Sequence, residues 1–437
     1  MKRKIISLIL TFAISLSIGS TAFAAENNQP PQLYPKTTAV AIDAETGEVI
    51  YEKNLDNKIY PASTTKLLTA LLLTETKKPT DLLTYTASAK AQPSASINLD
   101  KKPLNIGQQM TVENAMKGLL IYSANDIAYM IADNILGKLD DNVSDTNRDF
   151  SVLMNKKIAE LGLKSTHFIT PNGLHDPNHY TTAYDMSVIA KNAFSNKYIL
   201  DTVKQKEATI TTADGINIPI ENRNKLILEK ETSLYDKTCI GGKTGYTNEA
   251  GKCLIAVFDR GGRKIIGVIM NSGYDSQDTL VFKDMENLVN YSYTINYTNL
   301  YTSNSTYKTE TVSYKPLKFF GPTKTIQVPL LLKENVKYYK NDINDKEKKL
   351  TDNISSLDPW KLKTDTSVGT LTLTERGITK KYNLYAGVST GDLIKDNKLL
   401  YGGVLAGIIA VVAVIIILIF NIINLFSKRG RRKSYYR

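Results

Sequence analysis

Cysteine and histidine are scarce in this 437-residue chain, with two of the first and three of the second. Cys239 and Cys253 lie fourteen residues apart around an expected turn. Two separate buried thiols are the expected arrangement, and a single bridge is the alternative. The histidines, His167, His175 and His179, bear on two kinds of hydrolase. Gly387-Val388-Ser389-Thr390-Gly391 matches the G-x-S-x-G turn of a Ser-His-Asp hydrolase, but that fold needs its acid and histidine after the serine, and all three histidines precede it. A zinc peptidase using His175 and His179 is equally poorly supported: no H-E-x-x-H occurs, and Pro177 between the two keeps them off a common helical face. No metal or other cofactor is expected. Internal repeats and long low-complexity stretches are also missing.

Acidic residues are absent from both ends, and this explains the net charge of +12. Lys2, Arg3 and Lys4 open the chain, and Lys428, Arg429, Arg431, Arg432, Lys433 and Arg437 close it. Removing these nine leaves +3 for everything between. Such a body has no basic footprint for nucleic acid, and no nucleic-acid partner is expected.

The ends instead report topology. After the basic start comes an apolar run from Ile5 to Ile18, then Ala22-Phe23-Ala24. This order is that of a secretory signal peptide over residues 1–24, cleaved after Ala24. The run is shorter than the ~20 residues a membrane span needs. Tyr401 to Phe426, by contrast, is almost wholly apolar, and Val404 to Phe420 carries no polar side chain. At ~1.5 Å per residue this crosses a ~30 Å hydrocarbon core with some tilt. The span is placed at residues 399–426 and the basic tail at 427–437. Positive residues remain cytoplasmic, so the expectation is a single-pass cell-membrane protein with an extracytoplasmic body and a cytoplasmic C-terminus. Gly403 and Gly407 form one G-x-x-x-G, a weak mark of a helix-pairing face.

The exported part, about 375 residues, suits two domains. Residues 25–35 are polar and contain prolines, a linker pattern. In residues 36–293, Thr37–Asp43 and Glu48–Tyr51 read as a hairpin turning at Gly47. Leu67–Leu73 reads as a helix, and Thr111 caps another. Cys253–Phe258 and Ile265–Met270 flank the turn Arg260-Gly261-Gly262-Arg263, and a helix follows from Phe282 to about Asn290. Strands at both ends with helices between predict an α+β fold whose termini share one sheet. Residues 294–392 shift to Thr, Tyr and Lys in short alternating runs, predicting a small β-rich domain.

Three short constellations carry chemistry. Ser63-Thr64-Thr65-Lys66 stands at the start of the first apolar helix. Positions i and i+3 share a helical face, so Lys66 reaches the Ser63 hydroxyl. Serine is a poor nucleophile until a base takes its proton, and lysine is that base only when neutral, which burial and a second cation promote. Ser123-Ala124-Asn125 lies between two helical stretches. Ser123 is suited to relay a proton to a leaving amine, and Asn125 to hold Lys66 or a substrate carbonyl. Lys243-Thr244-Gly245 follows Gly241-Gly242. On a strand Lys243 and Gly245 share a side: Lys243 supplies the second cation, Gly245 admits a peptide backbone, and Thr244 is placed for a substrate carboxylate. Each motif alone is weak. Ser305-Thr306-Tyr307-Lys308 is a second S-x-x-K and Ser96-Ile97-Asn98 a second S-x-N, neither expected at a helix start. The ordered trio in one exported domain is far more specific.

Over roughly residues 36–293 the chain resembles the penicillin-binding serine D-Ala-D-Ala carboxypeptidases. Asp43-Ala44-Glu45-Thr46-Gly47, Pro171-Asn172-Gly173-Leu174, Tyr180-Thr181-Thr182-Ala183-Tyr184-Asp185-Met186 and Asn222-Arg223-Asn224 are similar to segments of that family. The resemblance implies a five-stranded antiparallel sheet flanked by helices, the penicillin-binding/β-lactamase-like transpeptidase fold, with the site between sheet and helices. It implies Ser63 as nucleophile, Lys66 as general base, Arg223 near the substrate carboxylate, and the backbone N–H groups of Ser63 and Tyr246 as the oxyanion hole. Peptidoglycan stem peptides are the implied substrate and β-lactams the implied covalent inhibitors. Tyr246 replaces a histidine found in some relatives, and a complete span replaces an amphipathic anchor. A β-lactamase-like hydrolase and a non-catalytic wall-tethering protein are the alternatives.

Overall fold

The computed structural model describes residues 29–433, with side chains to 426. The expected signal peptide and the side chains of the basic tail lie outside the described residues. Contacts divide the chain into two compact units, one ending at Asn296 and taking in Tyr339–Ile343, the other comprising Tyr297–Tyr338 and the chain from Asn344 onward.

The first unit is built on five antiparallel strands: β1 (Thr38–Asp43), β2 (Val49–Lys53), β3 (Cys239–Thr247), β4 (Gly251–Arg260) and β5 (Arg263–Ser272). Their order is β2-β1-β5-β4-β3, so the two ends of the domain meet where β1 pairs with β5. The β4–β5 hairpin closes on Gly261 and Gly262, both at positive φ, as a tight two-residue turn requires. The sheet is buried on both faces. Val40 and Ile42 point into one apolar cluster, Ala39 and Ala41 into a second. That alternation is why β1 reads as a nearly continuous apolar run.

On the first face lie α1 (Lys66–Thr76), α2 (Asn125–Leu136), α3 (Val143–Glu160) and α4 (Ala183–Ser195). Every residue of α1 from Lys66 to Leu73 is buried, as expected for a helix apolar around its whole circumference. Each leucine so enclosed contributes about 1.5–3 kcal/mol. Thr111 caps the helix Val112–Lys117 by accepting from the Asn114 N–H. On the second face, α5 (Leu280–Thr294) buries Phe282, Met285, Leu288 and Val289.

Two findings differ from the sequence reading. Residues 32–35, expected to be linker, dock on α5: the Gln32 carbonyl accepts from Asn287 at 2.9 Å, and the Tyr34 N–H donates to Asp284 at 3.0 Å. A polar, proline-containing composition does not reveal that a helix offers matching partners. Tyr339–Ile343, expected in the β-rich part, belongs to the first unit, where Tyr339 is buried and its hydroxyl donates to Asp43.

The second unit holds β6 (Thr306–Tyr314), β7 (Lys324–Leu332), β8 (Lys349–Ile354), β9 (Ser367–Glu375) and β10 (Ile378–Ala386), in the order β6-β7-β10-β9-β8. Alternate residues such as Val328, Leu330, Leu371, Leu373 and Leu384 form its core. It ends in α6 (Lys398–Lys433), whose segment Lys398–Phe426 is long and apolar enough to cross a membrane.

Candidate active site

The turn Ala62–Thr65 delivers Ser63 to the head of α1. Ala62 has φ +47°, a left-handed conformation costly for a residue with a Cβ, held by Thr65 Oγ1 donating to the Ala62 carbonyl at 2.9 Å. One turn on, Lys66 is wholly buried. Its Nζ lies 2.9 Å from Ser63 Oγ, 3.0 Å from Asn125 Oδ1 and 2.8 Å from the Asn172 carbonyl oxygen. Burial first, and the Arg223 guanidinium second, hold Lys66 well below the usual lysine range, with Asp126 opposing them in part.

Ser123 also sits at positive φ, +70°, where the chain turns into α2. This aims its hydroxyl at Lys243, 2.7 Å from Nζ. Lys243 also donates to the Thr244 carbonyl at 2.8 Å. Its own affinity for a proton is lowered by burial, then by Lys66 and Arg223. Asn125 is clamped by two bonds to the neighbouring loop, Nδ2 to the Ser94 carbonyl at 2.9 Å and its N–H to the Ala95 carbonyl at 2.6 Å.

Lys243, Thr244, Gly245 and Tyr246 lie on β3, the strand at one edge of the sheet. Lys243 and Gly245 are buried and Thr244 is partly open, the alternation expected of a strand. A Cβ on Gly245 would stand 3.0 Å from the Ser63 nitrogen, so β3 crosses directly over the nucleophile. Arg223 stacks on Tyr122, 4.4 Å from the ring centroid. The asparagines either side of it are structural: Asn222 Nδ2 donates to the Val203 and Gln205 carbonyls, and Asn224 caps the turn Lys225–Ile227. The N-R-N segment is thus a buried bracket presenting one cation. Ser63, Ser123, Arg223, Thr244 and Tyr246 line one cleft of about 300 Å³. A larger cavity, about 740 Å³, opens at the other end of β4 beside Asp43, Lys191 and Lys264. The chemistry concentrates in the smaller one.

All nine residues singled out in the sequence therefore converge. Two supports of the site carry no sequence signal. The Asn172 carbonyl contacts Lys66 from the Pro171-Asn172-Gly173-Leu174 loop. Asp126 accepts from the Ile97 and Asn98 N–H groups and from Tyr85, bracing the loop that carries Ser94 and Ala95.

The other motifs have structural work. Ser96, expected away from any helix start, in fact caps the helix Ile97–Asp100. That helix is a single turn, too short for periodicity to register. Ser305 and Lys308 belong to the second unit, where Lys308 pairs with Glu310 and Asp352. Ser389 forms a capping box with Asp392. His179 is buried with Nδ1 accepting from the Ile169 and Thr170 N–H groups and Nε2 facing Thr65 Oγ1 at 2.9 Å. His175 packs edge-on against Tyr60. Cys239 and Cys253 are buried free thiols, whose proton loss burial pushes up to about 12.

Comparison with known proteins agrees. Residues 24–273 match the family described as D-alanyl-D-alanine carboxypeptidase. The D-alanyl-D-alanine carboxypeptidase DacF of Bacillus subtilis is 29% identical over 379 residues, covering 86% of this chain and 91% of its own. DacD of Escherichia coli is 30% identical over 282 residues, 62% of this chain and 67% of its own. Among solved structures, the Streptomyces K15 DD-transpeptidase aligns with a TM-score of 0.54 at 26% identity, over 61% of this chain and 100% of that one. A D-alanyl-D-alanine carboxypeptidase from Mycobacterium tuberculosis H37Rv aligns with the same score and identity, over 62% and 96%. With this fold, this family match and one cleft that gathers the three motifs, the chain belongs to the D-alanyl-D-alanine carboxypeptidase family of serine peptidases.

Proposed function

We propose that the protein removes the terminal D-alanine from peptidoglycan stem pentapeptides through an acyl-enzyme on Ser63. The observation that carries this reading is the environment of Lys66 Nζ. A neutral amine has two N–H groups and one lone pair. The Asn125 amide oxygen and the Asn172 carbonyl only accept, so they take both N–H groups. The lone pair is left for the Ser63 O–H, 2.9 Å away. An ammonium in the same place would have to donate to Ser63 and leave it without a base. Burial first and the Arg223 guanidinium second favour the neutral form. The retained charge is assigned to Lys243: burial lowers its affinity for a proton as well, but only Lys66 stands 2.9 Å from the Ser63 hydroxyl that needs a base, whereas Lys243 donates to Ser123 and to the Thr244 carbonyl.

The reaction follows. Ser63 Oγ bonds to the carbonyl carbon of the penultimate D-alanine as its proton passes to Lys66. The N–H groups of Ser63 and Tyr246 receive the developing oxyanion, a role worth about 2.7–4 kcal/mol per donor in comparable sites. Arg223 and Thr244 hold the terminal carboxylate. The peptide C–N bond breaks as a proton reaches the leaving amine through Ser123, and D-alanine departs. Water then cleaves the ester, restoring the Ser63 hydroxyl and releasing the shortened peptide as its carboxylate. β-Lactams acylate the same oxygen. With residues 1–24 read as a signal peptide and α6 as a span, this chemistry lies outside the cytoplasm, where the wall is.

The test is incubation of the purified full chain with a pentapeptide ending in D-Ala-D-Ala, followed by mass analysis. One D-alanine is expected to be lost. Ser63→Ala is expected to abolish both this release and attachment of labelled penicillin, and persistence of either in the variant refutes the acyl-enzyme. Rapid penicillin hydrolysis without an adduct would favour a β-lactamase, and no adduct on the folded wild type a non-catalytic tether.

A further inference from the structure

The loop between β6 and β7, residues 315–323, carries Phe319 and Phe320 side by side at 70% and 73% exposure. Neither belongs to the core of its unit. Adjacent exposed phenylalanines are costly in water unless something covers them.

The structure points to what covers them. Both ends of the loop are tied to the head of α6. The Tyr401 hydroxyl donates to the Pro316 carbonyl at 2.6 Å. Asn397, buried just before α6, donates to the Tyr314 hydroxyl at 2.8 Å and accepts from Lys324 Nζ at 2.7 Å. The loop is therefore held at the level of the first turn of α6. Lys398–Phe426 is 29 residues, or about 43 Å of helix, against a hydrocarbon core of ~30 Å and ~40–45 Å with headgroups. With the basic tail marking the far side, Tyr401 lies in the headgroup layer, and the loop lies there with it. From Lys315 to Lys324 the sequence has three lysines and no acid, complementary to lipid phosphate. Lys318 Nζ lies 5.6 Å from the Phe319 ring centroid, so cation and apolar surface are presented together.

We propose that this loop is a second membrane contact, with Phe319 and Phe320 seated in the interfacial layer of the leaflet that α6 enters and Lys315 and Lys318 meeting lipid phosphates. It rests on the reading of α6 as a span. Two attachment points instead of one restrict how far the second unit can swing about the helix.

The test uses the full chain in vesicles of phosphatidylethanolamine and phosphatidylglycerol. Single cysteines introduced as Phe319→Cys, Phe320→Cys, Thr379→Cys and Val412→Cys carry an environment-sensitive fluorophore, the native thiols being buried. Thr379 is exposed near the β9–β10 turn, far along the sheet from Lys324. Labels at 319 and 320 are expected to shift to the blue and to be quenched by nitroxide lipids several-fold more than the label at 379. If 319 and 320 behave like 379 while 412 is strongly quenched, the span stands and the loop contact is refuted. If 412 is also unquenched, the membrane reading fails and takes this proposal with it.

Discussion

A side chain on Gly173 would occupy the place of the Ala62 carbonyl oxygen. The same Cβ would lie 2.6 Å from Thr65 Oγ1, and Gly173 has φ +79°. Both Ala62 and Thr65 belong to the turn that positions Ser63, and the residue before Gly173 supplies the carbonyl that Lys66 uses. The glycine is thus the point at which a distant loop is allowed to touch the nucleophile turn.

Gly173→Ala is therefore expected to damage activity more than folding. The left-handed backbone alone costs about 1–2 kcal/mol. A shift of ~1 Å in the Ser63–Lys66 geometry costs ~10²-fold in rate. Penicillin acylation rate and thermal midpoint, measured on the same sample, separate the two.

The two lysines are expected to respond oppositely to arginine. Lys66→Arg places a permanent cation where a base is needed, and acylation is expected to fall by ~10²–10⁴-fold at every pH tested. Lys243→Arg keeps the charge and is expected to retain measurably more. In the wild type, acylation falls as pH drops through the lowered Lys66 value, because protonation consumes the lone pair. Equal losses in the two variants would remove the distinction between base and cation.

Arg223→Gln removes the cation proposed for the terminal carboxylate and leaves its asparagine brackets in place. A charged hydrogen bond of about 1.5–3 kcal/mol corresponds to ~10–100-fold in kcat/KM for the peptide. Substrates whose terminal carboxylate is amidated are expected to lose much less, and steady-state kinetics on the pair of peptides reads this directly.

His179 gives a pH dependence of stability distinct from that of catalysis. Burial lowers its folded value from 6.5 to about 3. A depressed histidine stays neutral in the fold while the unfolded chain takes up a proton below 6.5. Its contribution is therefore complete above that value and is lost as pH falls from 6.5 toward 3, by up to a few kcal/mol. His179→Gln offers an acceptor and a donor without titrating, and is expected to flatten the acid limb of the thermal midpoint.

The legible part of the site was the part written locally. Ser63 and Lys66 are three residues apart at the head of one helix, and β3 alternates Lys243, Thr244 and Gly245 by its own pleat. Asn172 and Asp126 were not legible in the same way. Asn172 acts on Lys66 through a main-chain carbonyl, which every residue type has, and Asp126 acts through backbone N–H groups brought to it from residues 97 and 98. Ser96 shows the converse, a motif-like serine whose role as a one-turn cap only the folded loop reveals.

By itself, the sequence determined the apolar C-terminal helix, the α+β order of elements and the short motifs that meet in the cleft, because periodicity, composition and short spacings are properties of neighbours along a chain. Only the tertiary structure decided that Lys243 meets Ser123 and that Asn125 and Asn172 meet Lys66, that Tyr339–Ile343 joins the first unit, and that the loop carrying two phenylalanines is tied to the head of the apolar helix. Those facts depend on contacts between residues tens to hundreds of positions apart, and chain closure over such distances leaves no trace in local composition.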